Sequence, residues 1–143
     1  LAALNAATAE VSLVGRKVLV VDDDVRNIFA LTSTLEKQGM VVLFDERGKN
    51  AIKTLRSTSD IDVVLMDVMM PEMDGYETMQ AIRRMKDRED LPIIAITAKA
   101  MAGDREKCLE AGASEYLSKP VDTSQLFAMI RRLIAGRGVA SVG

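Results

Sequence analysis

Residues 61–67, Ile-Asp-Val-Val-Leu-Met-Asp, constrain the fold of this chain more than any other stretch. Ile61, Val63, Val64, Leu65 and Met66 leave almost no polar face, which suits a strand covered on both sides, as in a parallel sheet layered with helices. Asp67 ends the run and opens a loop containing Pro71 and Asp74-Gly75-Tyr76-Glu77. Proline has no amide donor and stops the strand, while Asp74 with Glu77 three residues on has the pattern of a capping box that starts a helix. One carboxylate is thereby delivered to the C-terminal end of a buried strand, the edge at which open α/β sheets bind ligands.

The remaining sequence repeats this alternation. Val18–Val21 reads as a strand closed by Asp22, Asp23 and Asp24, and Asp24 caps a helix with Val25, Ile28, Leu31 and Leu35 on one face that stops at Gly39. Met40–Phe44 is a second strand, and Ala51, Ile52 and Leu55 mark a short amphipathic helix. After the strand ending at Asp67, Tyr76, Met79, Ile82 and Met85 form a helical face. Leu91–Ile96 is the fourth strand and delivers Thr97, Ala98 and Lys99 to the same edge. A helix from about Gly103 turns Cys108 and Leu109 inward and ends at Gly112. Glu115–Ser118 is a short fifth strand leading to Lys119-Pro120, and a capping box at Asp122–Gln125 opens a last helix with Leu126, Met129, Ile130, Leu133 and Ile134 on one face. Five strands alternating with five helices predict a doubly wound α/β domain. Its expected bounds are 16–136, preceded by an Ala-rich linker or tail of a preceding domain (1–15) and followed by a disordered tail (137–143).

Composition excludes several classes. A chain of 143 residues is long enough for one domain that buries roughly two-thirds of its unfolded surface. The single cysteine, Cys108, rules out an internal disulfide and points to a reduced, cytoplasmic setting. A net charge of −2 with interspersed signs offers no basic stripe for nucleic acid, and no apolar run reaches membrane-spanning length. Arg83, Arg84, Lys86 and Arg88 read as a solvated basic face.

Four of the five strands end in groups that carry chemistry: Asp22 and Asp23, Asp67, Thr97, and Lys119. A parallel sheet brings these ends to one rim. Three carboxylates there repel one another, so at least one should have a raised pKa in the absence of metal. A hard divalent cation with oxygen ligands relieves the repulsion, and Mg²⁺, which keeps part of its water shell, suits such a set. With Lys119 to neutralise a phosphoryl oxygen and the Thr97 hydroxyl to donate to another, the rim is a phosphoryl-transfer site with Asp67 as nucleophile.

The set Val20-Val21-Asp22-Asp23, Asp67-Val-Met-Met-Pro71-Glu-Met-Asp-Gly75, Thr97-Ala98 and Lys119-Pro120 resembles the receiver domain of two-component response regulators. The resemblance implies a flavodoxin-like (βα)5 sheet of order 2-1-3-4-5 and Asp67 as phosphoacceptor. It implies Mg²⁺, with Mn²⁺ as the alternative ion, held by Asp23, Asp67 and the Met69 carbonyl, with Asp22 direct or through water. Thr97, Ala98 and Lys119 would bind the phosphoryl group, Lys119-Pro120 would be cis, and Thr97 with Tyr116 would form a switch pair. The donor would be a histidine kinase core or a histidine phosphotransfer domain, and phosphorylation could drive dimerisation. Val25-Arg26-Asn27-Ile28-Phe29-Ala30-Leu31 and Tyr116-Leu-Ser-Lys119-Pro120-Val-Asp122 look closest to receivers of hybrid sensor histidine kinases, and a stand-alone single-domain regulator is the alternative.

Haloacid-dehalogenase-type phosphohydrolases use a similar set of groups, but their nucleophile ends the first strand in an Asp-x-Asp pattern and their paired acids come late. Here the acid pair comes first and Val25-Arg26 follows it. A receiver that only docks would be expected to lack an acid, the Thr or the Lys, and none is lacking. Met69 and Lys99 offer no carboxylate or amide to orient an attacking water, so a long-lived acyl phosphate is expected.

Overall fold

A computed structural model describes residues 12–70, 74–98 and 102–142, with side chains described through residue 136. Five strands and five helices alternate: β1 (Lys17–Val21), α1 (Val25–Lys37), β2 (Val41–Asp45), α2 (Gly48–Ser57), β3 (Ile61–Asp67), α3 (Gly75–Arg83), β4 (Ile93–Thr97), α4 (Asp104–Ala111), β5 (Glu115–Ser118) and α5 (Thr123–Val142). Every strand pair is parallel, in the order β2-β1-β3-β4-β5. The expected flavodoxin-like (βα)5 architecture is therefore observed.

The near-continuous apolar runs arise because each inner strand feeds two cores. Leu19, Val64, Met66, Ile93 and Ala95 pack on one face with Ala51 and Leu55 of α2, Met79 and Ile82 of α3, and Cys108 of α4. Val18, Val20, Val63, Leu65, Ile94 and Ile96 pack on the other with Ile28 and Leu35 of α1 and Leu126 and Ile130 of α5. Alternation breaks once, at Asp62, where the β1–β3 register shifts and the carboxylate accepts the Lys17 amide at 2.8 Å. Ile61 and Val64 thereby share a face despite their odd spacing. On the outer strand β2, Val41 and Phe44 stay largely exposed.

Several features differ from the sequence expectation. Leu13, placed in the 1–15 linker, is buried against the α1–α5 core, and the Gly15 amide donates to the Gly39 carbonyl at 2.8 Å, so the chain is anchored here although Ser12, Val14 and Gly15 are exposed. The α5 backbone continues to Val142, past the expected boundary at 136. Val25 is exposed rather than inward, and Met85 lies beyond the end of α3, half-buried against the core. Arg88 is buried and Arg83 half-buried, so these two do not belong to a solvated face. The Arg88 Nη2 donates to the Leu55 and Thr58 carbonyls at 2.9 Å, while Arg83 reaches the carbonyls of Gly112 and Arg88 at 2.8 Å. The two guanidiniums satisfy carbonyls at the ends of α2 and α4 that have no helical partner.

Candidate phosphoryl-transfer site

The site forms where β1 and β3, adjacent in the sheet, release their chains. Val21 pairs with Met66, so Asp22 and Asp67 emerge side by side, both buried. Asp23 follows on the exposed side, and the carboxylate oxygens of Asp22, Asp23 and Asp67 lie within 4.8 Å of one another. Each carboxylate is oriented locally. Asp22 Oδ1 accepts the Asp24 amide at 2.8 Å, and Asp67 Oδ1 accepts the Met69 amide at 3.2 Å. Asp24 turns away, capping α1 through the Arg26 amide at 2.9 Å and pairing with the Arg26 guanidinium, whose hydrogen bond holds its carboxyl below the usual range.

Lys119 reaches the acids from the end of β5. Its Nζ lies 3.3 Å from Asp22 Oδ2 and 3.7 Å from Asp67 Oδ1. Its own amide donates to the Thr97 carbonyl at 2.8 Å, which ties the ends of β4 and β5 together, and the Lys119–Pro120 peptide is cis, as expected. Thr97 is buried beside β3, whereas Ala98 is exposed. Met69 is 53% exposed next to Asp67. Tyr116, the other half of the expected switch pair, sits half-buried on β5 with burial raising its hydroxyl pKa. Lys99 lies outside the described residues.

Burial, reinforced by the Asp22 carboxylate, pushes Asp67 up to about 7, against the opposing pull of Lys119 and the Met69 amide. Desolvation leads that rise, and the repulsion anticipated from sequence adds to it through Asp22. Gly75 is a contributor that sequence reasoning credited only with starting a helix. A Cβ there would stand 2.5 Å from the Asp67 carbonyl oxygen and 2.6 Å from Val68 Cα, and the Gly75 amide donates to the Val68 carbonyl at 3.0 Å. Only a residue without a side chain lets α3 begin this close to the Asp67 backbone. No sequence pattern signals that contact, since Asp-Gly also occurs in ordinary turns.

The arrangement combines a buried carboxylate of raised pKa, two further acids, a hydroxyl and an ammonium on one rim. A family model for the response regulator receiver domain matches residues 18–131. The chain belongs to the response regulator receiver family. This receiver is 36% identical to the signal transduction histidine-protein kinase BarA of Escherichia coli, over 87% of its own length and 13% of BarA's. It is 33% identical to probable histidine kinase 6 of rice, over 91% of its length and 15% of that relative's. The chain therefore spans about one-seventh of such relatives. Among solved structures it resembles the receiver domain of the sensor histidine kinase PA1611 of Pseudomonas aeruginosa, described with a magnesium ion coordinated in the active-site cleft. That match has 35% identity and a TM-score of 0.78, covering 84% of this chain and 98% of that one. With the family established, the phosphohydrolase alternative falls away. Among the described residues of the receiver no helix is long and apolar enough to cross a membrane.

Proposed function

We propose that this receiver takes a phosphoryl group from a phosphohistidine onto Asp67 in a Mg²⁺-dependent reaction. The observation that carries it is the placement of Asp67 itself: buried, at the end of β3, 3.7 Å from Lys119 and clustered with Asp22 and Asp23. The three acids offer only oxygen donors, and their mutual repulsion is what a hard divalent ion would relieve. Asp22, Asp23, Asp67 and the Met69 carbonyl are the groups assigned to hold Mg²⁺, or Mn²⁺ in its place. When bound, the ion supplies positive charge that offsets the acids and the incoming phosphoryl oxygens.

In the transfer, an Asp67 carboxylate oxygen attacks phosphorus as the phosphorus–nitrogen bond breaks. The imidazole nitrogen keeps the electron pair and takes up a proton. The product is an acyl phosphate on Asp67, so the domain is both substrate and catalyst. Lys119, now held mainly to Asp22, swings between the acids and a phosphoryl oxygen. The Thr97 hydroxyl donates to another, and the Ala98 amide lies beside it. Movement of Thr97 toward the new group opens space for the half-buried Tyr116 ring, which changes the surface formed by α4, β5 and α5. Dimerisation through that surface on phosphorylation is measurable by light scattering. The exposed Met69 presents a thioether rather than a group that orients water, which supports a long-lived acyl phosphate.

Treatment with acetyl phosphate and Mg²⁺, read by intact mass, tests the assignment. One phosphoryl adduct is expected on the native chain and none on Asp67→Asn, and an adduct on the variant would refute it. The similarity to histidine kinases supports a hybrid-kinase parent, with a kinase core or a phosphotransfer domain as donor. A kinase core encoded in frame ahead of Leu1 is the expected finding, whereas an initiating Met directly ahead of it would make this a stand-alone regulator.

A further inference from the structure

At the opposite end of the sheet from Asp67, a groove of about 690 Å³ runs between the end of α2 and the connection from α3 to β4. Four cations line it, Arg56, Arg84, Lys86 and Arg88, against one acid, Asp87. Among the described residues Arg56, Arg84 and Lys86 have no acidic partner, although Glu89 and Asp90 follow closely in sequence. The neighbouring groove on the same pole, beside Arg16 and Lys17, is neutralised by Asp62 and Asp60 at 3.4 and 2.6 Å. Compensation of helix dipoles accounts for Arg56, the basic residue in the last turn of α2, but not for Arg84 and Lys86, because α3 already carries Arg83 in its last turn.

The floor of the groove is held rigidly. Arg88 is fixed by its two bonds to the Leu55 and Thr58 carbonyls, yet its Nε keeps an unpartnered hydrogen in a buried position. Asp87 between Lys86 and Arg88 has φ +66°, a conformation unusual for a residue with a side chain, and it sets the turn that brings both cations to one groove. We propose that this groove docks an acidic segment of a partner polypeptide. It is open to solvent and Arg56, Arg84 and Lys86 stand on exposed arms above the buried Arg88, which suits an extended chain with spaced carboxylates better than an enclosed small molecule. Guanidinium forks grip carboxylates in pairs, and two of the three exposed cations, Arg56 and Arg84, are arginines.

A titration of the isotope-labelled chain with a capped peptide of alternating Glu and Ala, followed by amide chemical shifts, tests the proposal. Saturable shifts are expected at Leu55–Ser59 and Arg84–Arg88, weakening as salt rises. The Arg56→Gln/Arg84→Gln/Lys86→Gln variant alters only exposed side chains, and an unchanged melting temperature confirms that it folds. It should bind the peptide about tenfold more weakly or worse. Absence of saturable shifts, shifts centred elsewhere, or undiminished binding by the variant would overturn the proposal. So would tighter binding of ATP or inorganic phosphate than of the peptide at the same amides.

Discussion

Replacing Asp67 by Asn should stabilise the metal-free domain, although it removes the proposed phosphoacceptor. In the native chain the Asp67 carboxyl rises from 3.8 to about 7, chiefly through burial and the Asp22 charge. At about 1.36 kcal/mol per pH unit, carrying that charge at pH 8 costs the folded state up to about 4 kcal/mol relative to the unfolded chain. Asn removes the charge and keeps an oxygen for the Met69 amide, but it leaves Lys119 with Asp22 as its nearer partner, which returns part of the gain. A net stabilisation of about 2 kcal/mol is expected, equivalent to a rise in Tm of about 7 °C for a domain of this size. A raised carboxyl binds more protons folded than unfolded, so native stability falls as pH rises from about 4 to about 7, and the advantage of Asn should shrink as pH is lowered through that window. Urea denaturation in EDTA at pH 8 and pH 5 measures both effects. A variant no more stable than the native chain at pH 8, or an advantage that grows on acidification, would refute the electrostatic account of the site.

Gly75→Ala places a methyl against the Asp67 and Val68 backbone and should cost about 2 kcal/mol in urea denaturation, together with slower phosphorylation by acetyl phosphate. Arg88→Met strips donors from the Leu55 and Thr58 carbonyls and should cost about 2 kcal/mol, whereas Lys86→Met on the exposed side of the same turn should change stability by less than about 0.5 kcal/mol. Leu13→Ala should cost about 2 kcal/mol by the same measurement, and a neutral result would return residues 12–15 to the linker.

The acids, Thr97 and Lys119 were legible because each sits where an apolar run stops, and a parallel sheet aligns such stops without further information. Helix caps at Asp24, Asp74 and Asp122 were legible for a similar reason, since the side-chain acceptor lies two or three residues from the amide it receives. Arg83 and Arg88 were misjudged because a run of alternating charges looks the same whether its partners are water or carbonyls some 30 residues away. Leu13 escapes a sequence reading because it stands between Ser12 and Val14 in an Ala-rich lead-in, with no alternating apolar run to give it a face. Helical spacing extended α3 to Met85, but the chain leaves the helix at Arg84 and still packs Met85 against the core from the turn. Contacts that cross between elements have no local signature, and these are the ones the sequence concealed.

The buried Leu13 also fixes where a leash to this domain is anchored. It pins the incoming chain at the pole where the strands begin, and Asp67 stands at the other pole, one seven-residue strand away, roughly 23 Å at 3.3 Å per residue. A module joined ahead of residue 12 would therefore be tethered at the pole opposite Asp67, the proposed phosphoacceptor. To bring its histidine to Asp67 in the same molecule, the joining chain must run back along the flank for at least about seven extended residues. If Asp67 has the role proposed for it, a histidine donor fused ahead of Leu1 would have at least the eleven residues 1–11 as its leash, more than that span needs, so transfer within one polypeptide is open to it.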